Sequence, residues 1–188
     1  MELTEAIMTR RSIRRYKPDP VADEVLERCL EAARWAPSWA NTQCWRFVIV
    51  RDNETRQKLA AALKSARPEG KNAATEAVKG APVIVIACAQ LQQAGYYQGH
   101  PTTDKGDWYM FDVALAMQNL VLAAHAEGLG TVLIGLFDVK RVEAILGLPS
   151  GFSVVAMTPL GYPDQEARVV PRKELSEIVS YEKFGGKK

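Results

Sequence analysis

The stretch WYMFDVALAMQNLVLAAHAEGLGTVLIG, Trp108 to Gly135, decides how this chain folds. Read at 3.6 residues per turn, Met110, Val113, Ala114, Met117, Leu120, Val121 and Ala124 make one apolar face. Phe111, Leu115 and Leu122 make much of another. A helix that is apolar nearly all round must be buried nearly all round. In a chain of 188 residues, a central position or a subunit interface provides that burial. Asp107 precedes the helix as a candidate cap, and Gly128 closes it. TVLIG, Thr131 to Gly135, then reads as a short strand.

Upstream, Glu2 to Arg10 has Leu3, Ile7 and Met8 at helical spacing, with acidic residues early and a basic one late, as a helix dipole favours. Asp23 to Trp35 is a second amphipathic helix that Pro37 stops. RFVIVR, Arg46 to Arg51, is a strand, and Asn53 to Lys64 a helix. Ser65 to Gly80 reads as a loop with some helix. PVIVIAC, Pro82 to Cys88, is β-rich without alternation, the pattern of a strand buried on both faces. The segment 90–106 holds glycines, a proline and paired tyrosines, and reads as a surface loop or lid. Downstream, Asp138 to Leu146 is a helix, Phe152 to Tyr162 a strand, and Arg172 to Phe184 a charged tail with a helical piece. Helices and strands in this order indicate a mixed α and β chain organised as one domain over 1–188.

Composition narrows the function. The chain is 47% hydrophobic and 24% charged, as expected of a globular protein, and its net charge of +2 is too small for a general polyanion binder. Cys29, Cys44 and Cys88 form no C-x-x-C pair, and His100 and His125 are the only histidines, so no structural zinc set is expected. The unpaired cysteines and the absence of an apolar leader predict a reducing, cytoplasmic setting. No apolar run is long enough for a membrane span. The dinucleotide, phosphate-loop and nucleophile-elbow motifs are missing.

Four segments carry candidate chemistry. In RRSIRRYKP, Arg10 to Pro18, five of the first eight residues are cationic. Neighbouring arginines repel by roughly 0.2–0.5 kcal/mol per helical pair, whereas charge-assisted bonds to an anion contribute about 1.5–3 kcal/mol each. Two such bonds outweigh the repulsion, and Ser12 adds a hydroxyl. A solvated charge run at a helix end is the alternative. In APSWANTQCWRF, Ala36 to Phe47, Ser38, Asn41, Thr42 and Gln43 cluster in a turn between Trp39 and Trp45; they either face a flat heteroaromatic ring or simply form the turn. In GLGTVLIGLFD, Gly135 permits close backbone approach to a ligand, while Gly128 and Gly130 suit a helix end and a tight turn. In PRKELSEIV, Arg172 and Lys173 are a second basic pair, closing on the same anion or merely solvated.

Taken together and in order, RRSIRRY, APSWANTQCWRF, WYMFDVALAMQNLVLAAHAEGLGTVLIG and PRKELSEIV strongly resemble the FMN-dependent nitroreductase family over nearly the whole chain. The resemblance implies an α+β, three-layer fold with a central mixed, mostly antiparallel sheet flanked by helices. It implies an intertwined homodimer with FMN at the interface. By that match Arg10, Arg11, Ser12, Arg14 and Arg172 hold the FMN phosphate and ribityl chain. Pro37, Ser38, Asn41 and Gln43 reach the flavin from the opposite subunit, and Leu133, Ile134 and Gly135 lie against its ring. Two departures stand out: Cys44 replaces the family's usual proline, as either a thiol near the cofactor or a small buried filler, and Ile134 stands where an acidic residue is common. The implied activity is ping-pong electron transfer from NAD(P)H through FMN to nitroaromatic, quinone or similar small acceptors, with no catalytic side chain required. Trp39, Tyr96, Tyr97 and Trp108 could wall the acceptor pocket or be ordinary aromatics. The same resemblance admits flavin cleavage, dehalogenation or C=C oxidation and reduction. A basic nucleic-acid-binding module is the rival from another class, against which the small net charge counts.

Overall fold

The structure, a computed structural model describing residues 1–68 and 70–188, is built around one strand with no solvent face. The strands are Trp45–Val50 (β1), Val83–Gln90 (β2), Tyr96–Tyr97 (β3), His100–Pro101 (β4), Gly130–Thr131 (β5) and Phe152–Gly161 (β6). The main sheet has the order β1-β2-β6-β5, each pair antiparallel, and β3 with β4 forms a separate small hairpin. Every residue of β2 from Val83 to Ala89 is buried. Because side chains alternate along a strand, Val83, Val85, Ala87 and Ala89 enter one core, and Ile84, Ile86 and Cys88 enter another.

Helices cover both cores. Asp23–Arg34 (α2) buries Leu26, Cys29 and Ala33 against Tyr109–Ala126 (α5), and the two helices cover the Val83 face. Asn53–Ala61 (α3), Thr75–Gly80 (α4) and Val139–Leu146 (α6) cover the Ile84 face with Leu59, Ala60, Ala77, Val78 and Val142. Each large side chain removed from water in this way contributes roughly 1.5–3 kcal/mol before entropy is counted. The result is the three-layer α+β arrangement that the sequence implies. Leu3–Thr9 (α1) buries only Ala6, and Leu175–Ile178 (α7) is a single exposed turn in the basic tail.

Three sequence readings change in detail. Asp107 is not the residue at the cap of α5; Trp108 is, while the Asp107 carboxylate accepts from Tyr109 N at 3.2 Å and from Gln92 N at 2.6 Å. Its attention is divided between the helix and the 90–106 loop. Thr131 to Gly135 does not pair continuously either. After Thr131 the chain departs from β6 and returns at Ile134, which exchanges both backbone bonds with Met157 at 2.9 and 3.0 Å. The α5 helix, expected to be buried nearly all round, leaves Met110, Phe111, Ala114 and Gln118 exposed in the protomer.

The outer edge of β5 positions the basic segment. Ser12 makes a parallel bridge to Thr131, Ile13 N donates to Thr131 O at 2.9 Å, and this contact makes the sheet mixed. The side chain of Ile13 sits directly on Gly130: a Cβ there would lie 2.8–2.9 Å from three Ile13 atoms. Gly130→Ala should therefore push Ile13 off the sheet edge and destabilise the fold by about 1–3 kcal/mol, read as a lower urea midpoint with unchanged slope.

Candidate functional site

The expected site residues fall into three groups. The first surrounds the end of α1. Arg10 and Arg11 line a cavity of about 240 Å³ together with Thr9, Ile13, His125, Thr131 and Gln165. Burial, then Arg11 and Arg172 nearby, hold the Arg10 guanidinium below its usual value. Arg172, far along the chain, is thus electrostatically in reach of Arg10. Arg11 uses one terminal nitrogen to donate to Met8 O at 2.7 Å and Arg10 O at 2.8 Å, while its buried Nε has no partner. Among the described residues no ion pair includes Arg10, Arg11, Arg14 or Arg172. Ser12 and Arg14 lie beside this cavity rather than in its lining. Ser12 is fixed by its bridge to Thr131, and Arg14 is exposed, with its N–H donating to Gln165 Oε1 at 3.0 Å.

His125, which the sequence reading passed over, belongs to this group. Its Nε2 lies in a hydrogen bond 2.8 Å from Thr9 Oγ1. Burial and the Arg10 charge lower its basicity, outweighing Glu5, so the ring favours its neutral form. A lone polar residue on the last turn of an apolar helix, facing a basic segment, was the available signal.

The second group follows Thr131. Leu133 and Gly135 are exposed while Ile134 turns inward. Ile134 spends its backbone N–H and C=O on Met157, so the neighbouring N–H groups of Leu133 and Gly135 face away from β6, and neither donates to a protein acceptor among the described residues. A Cβ on Gly135 would meet nothing within 4 Å, so this edge is open. Asn72 Nδ2 donates to Leu136 O at 3.2 Å and to Lys64 O at 2.8 Å, tying the loop before α4 to that edge.

The third group is the turn before β1. Pro37, Asn41 and Gln43 are exposed and Ser38 is half-buried. Asn41 Oδ1 accepts from Gln43 Nε2 at 3.1 Å, and Ser38 Oγ accepts from Gln43 N at 3.0 Å. Three non-glycine residues here have positive φ: Ala40 at 43°, Asn41 at 57° and Gln43 at 47°. Left-handed backbone costs an L residue roughly 1–2 kcal/mol, and such strain concentrates at working sites. Beneath the turn lies Asp112, a carboxylate only 1% exposed on the first turn of α5. Its two oxygens each accept from Trp39 N at 3.1 Å, and Oδ2 also takes Thr42 Oγ1 at 3.5 Å and Cys44 Sγ at 3.8 Å. Burial raises its proton affinity, against the pull of these donors. Sequence reasoning missed Asp112, although an acid inside so apolar a helix was legible. Trp39 also packs against Trp108 with ring centroids 5.2 Å apart and ring planes tilted by 39°, and Trp108 meets Phe111 edge-on at 5.4 Å. Thr103 of the 90–106 loop accepts from Trp108 Nε1 at 2.8 Å.

The first two groups adjoin through the Ser12–Thr131 bridge. The third does not join them within the protomer. Asp112 anchors it at one end of α5, His125 lies near the other, and the separation of 13 residues along the chain spans about 20 Å of helix.

The fold and these groups agree with what the chain resembles. Residues 7–162 match the model of the nitroreductase family. A Thermus thermophilus protein named NADH dehydrogenase is 34% identical, with 95% of each chain covered. A nitroreductase family protein from Clostridium novyi NT superposes with a TM-score of 0.77 at 31% identity, over 99% of this chain and 96% of that one. An iodotyrosine deiodinase solved with FMN and 3-iodo-L-tyrosine superposes at 0.79 with 27% identity, over 97% and 100% of the two chains. The chain belongs to the nitroreductase family of oxidoreductases.

The departure at Cys44 resolves as a buried filler, 1% exposed, its thiol pushed up to about 12 mainly by burial and by Asp112. Cys29 and Cys88 are also free and buried, each raised to about 11 chiefly by burial. At pH 8 the native chain should therefore show no thiol titratable by a disulfide reagent within minutes, and three after unfolding. A rapidly reacting thiol in the native protein would refute this packing.

Proposed function

We propose that this chain is an FMN-dependent NAD(P)H oxidoreductase that passes electrons to small electrophilic acceptors by a ping-pong cycle. The observation that carries the reading is the pair Arg10 and Arg11 lining one cavity, unpaired with any carboxylate among the described residues, with Arg172 near enough for its charge to act on Arg10 and a buried Arg11 Nε without a partner. Guanidinium forks match phosphate oxygens geometrically, and no carboxylate competes for these among the described residues. These features fit the phosphate end of FMN. The free N–H groups of Leu133 and Gly135, on the adjoining edge, fit the polar rim of a flavin ring.

When bound, FMN supplies the two-electron exchange between nicotinamide and acceptor. The chain contributes grip and electrostatics. Arg10, Arg11 and Arg172 neutralise the phosphate, with Ser12 and Arg14 beside them. The Leu133 and Gly135 amides offer positive dipoles to charge that accumulates on the ring. Ile134, buried and bonded to Met157, keeps that edge rigid. Pro37, Ser38, Asn41 and Gln43 complete the site from a second copy of the chain. Two features support that pairing: the 20 Å of helix separating the turn from the guanidinium cluster, and the exposure of Leu3, Ile7, Met8, Met110 and Phe111, apolar residues that a homodimer buries. Trp39, Trp108 and Phe111 form an aromatic wall suited to flat nitroaromatic or quinone acceptors. Among the described residues no helix is long and apolar enough to cross a membrane. A cytoplasmic setting is part of the same reading, supported by the three free thiols.

The purified protein should be yellow, with about one FMN per protomer, and should sediment as a dimer at micromolar concentration. Replacing Arg10 and Arg172 with alanine removes at least two charge-assisted bonds, about 3 kcal/mol or more, so FMN binding should weaken at least roughly 100-fold in a flavin fluorescence titration. A double variant that keeps its colour through extensive dialysis would overturn the assignment.

A further inference from the structure

We propose that Asp112 is a positioning residue for the cofactor: its buried carboxylate holds the Ser38–Gln43 turn in the strained shape that presents Asn41 and Gln43. The inference rests on the FMN reading above. It starts from an alternation. The residues with positive φ are Ala40, Asn41 and Gln43, and the residues whose groups reach the carboxylate are Trp39, Thr42 and Cys44. The anchored positions bracket the strained ones on both sides. A strained backbone persists only where its surroundings over-determine it.

The turn's own bonds close it on itself but do not orient it. Asn41 N donates to Ser38 O at 3.1 Å, Thr42 N to Trp39 O at 2.9 Å and Gln43 N to Ser38 Oγ at 3.0 Å. Asp112 is the polar tie between this unit and α5. A carboxylate suits that place because Trp39 N–H, Thr42 O–H and the Cys44 thiol are all donors, and an ionised carboxylate is acceptor-only. Its neighbours on α5, Val113 and Ala116, are buried and apolar, so the helix offers no substitute acceptor there. Asn41 and Gln43 remain exposed with their amides joined to each other, outside the anchored layer and facing outward for a ligand.

The test compares FMN dissociation constants of the intact protein in four forms: wild type, Asp112→Ala, Asp112→Asn, and Asp112→Ala combined with Ala40→Gly. Asp112→Ala is expected to weaken FMN binding at least tenfold with far-UV circular dichroism and sedimentation unchanged. Asp112→Asn retains an oxygen for Trp39 N–H and is expected to stay within threefold of wild type. Ala40→Gly tolerates positive φ and is expected to recover at least threefold in the alanine background, which a general loss of packing would not allow. Equal affinity in wild type and Asp112→Ala, or no recovery from Ala40→Gly, overturns the inference. A wild type that binds no FMN overturns the proposed function instead. Should Asp112→Ala fail to fold, amide exchange in the wild type decides: Trp39 N–H is expected to exchange at least 100-fold slower than in an unstructured peptide, and exchange at the free rate refutes the tie.

Discussion

Everything in this protein follows from a central strand that cannot touch water. With both faces of β2 apolar, a helical layer is required on each side, and the sheet can expose chemistry only at its margins. The β5 margin takes that role. There the chain from α1 returns in parallel beside Thr131, seated by the missing side chain of Gly130. Guanidinium groups and free backbone N–H groups are thus gathered along one edge without any loop being specialised for it.

The helix α5 links that edge to the rest. Its middle is core, and its two ends serve different purposes: His125 faces the cationic cavity, while Asp112 supports the turn ahead of β1. An apolar helix tolerates a buried acid only if donors surround it. The strained turn provides those donors, so acid and turn stabilise one another, and neither is explicable alone.

Much of this was legible in the sequence. The unbroken apolar run of β2 announced a doubly buried strand, and the amphipathic pattern of Asp23 to Trp35 announced a helix with one buried face, which the structure shows as Leu26, Cys29 and Ala33 of α2. The basic stretch and the polar turn were identifiable as candidates because their residue types are costly or unusual where they stand. What local pattern could not convey was tertiary. The approach of Arg172 to Arg10 spans most of the chain. The break after Thr131 depends on how β6 runs beside it, and no propensity encodes that. The positive φ of Ala40 had no signal, since alanine is not a residue that advertises left-handed backbone. Cys44, where a proline was expected, was open to two readings until burial decided between them.

The separation of the polar turn from the guanidinium cluster along α5 has a genetic consequence. Under the proposed pairing, every binding pocket is composite, drawing each half from a different polypeptide. Two inactive alleles, one damaged near Arg10 and the other near Asp112, would then complement when co-expressed, because a mixed assembly contains one pocket with both lesions and one with neither. Selection on such a protein acts on the compatibility of two copies, and a harmful change at one margin is masked or exposed by the chain it meets.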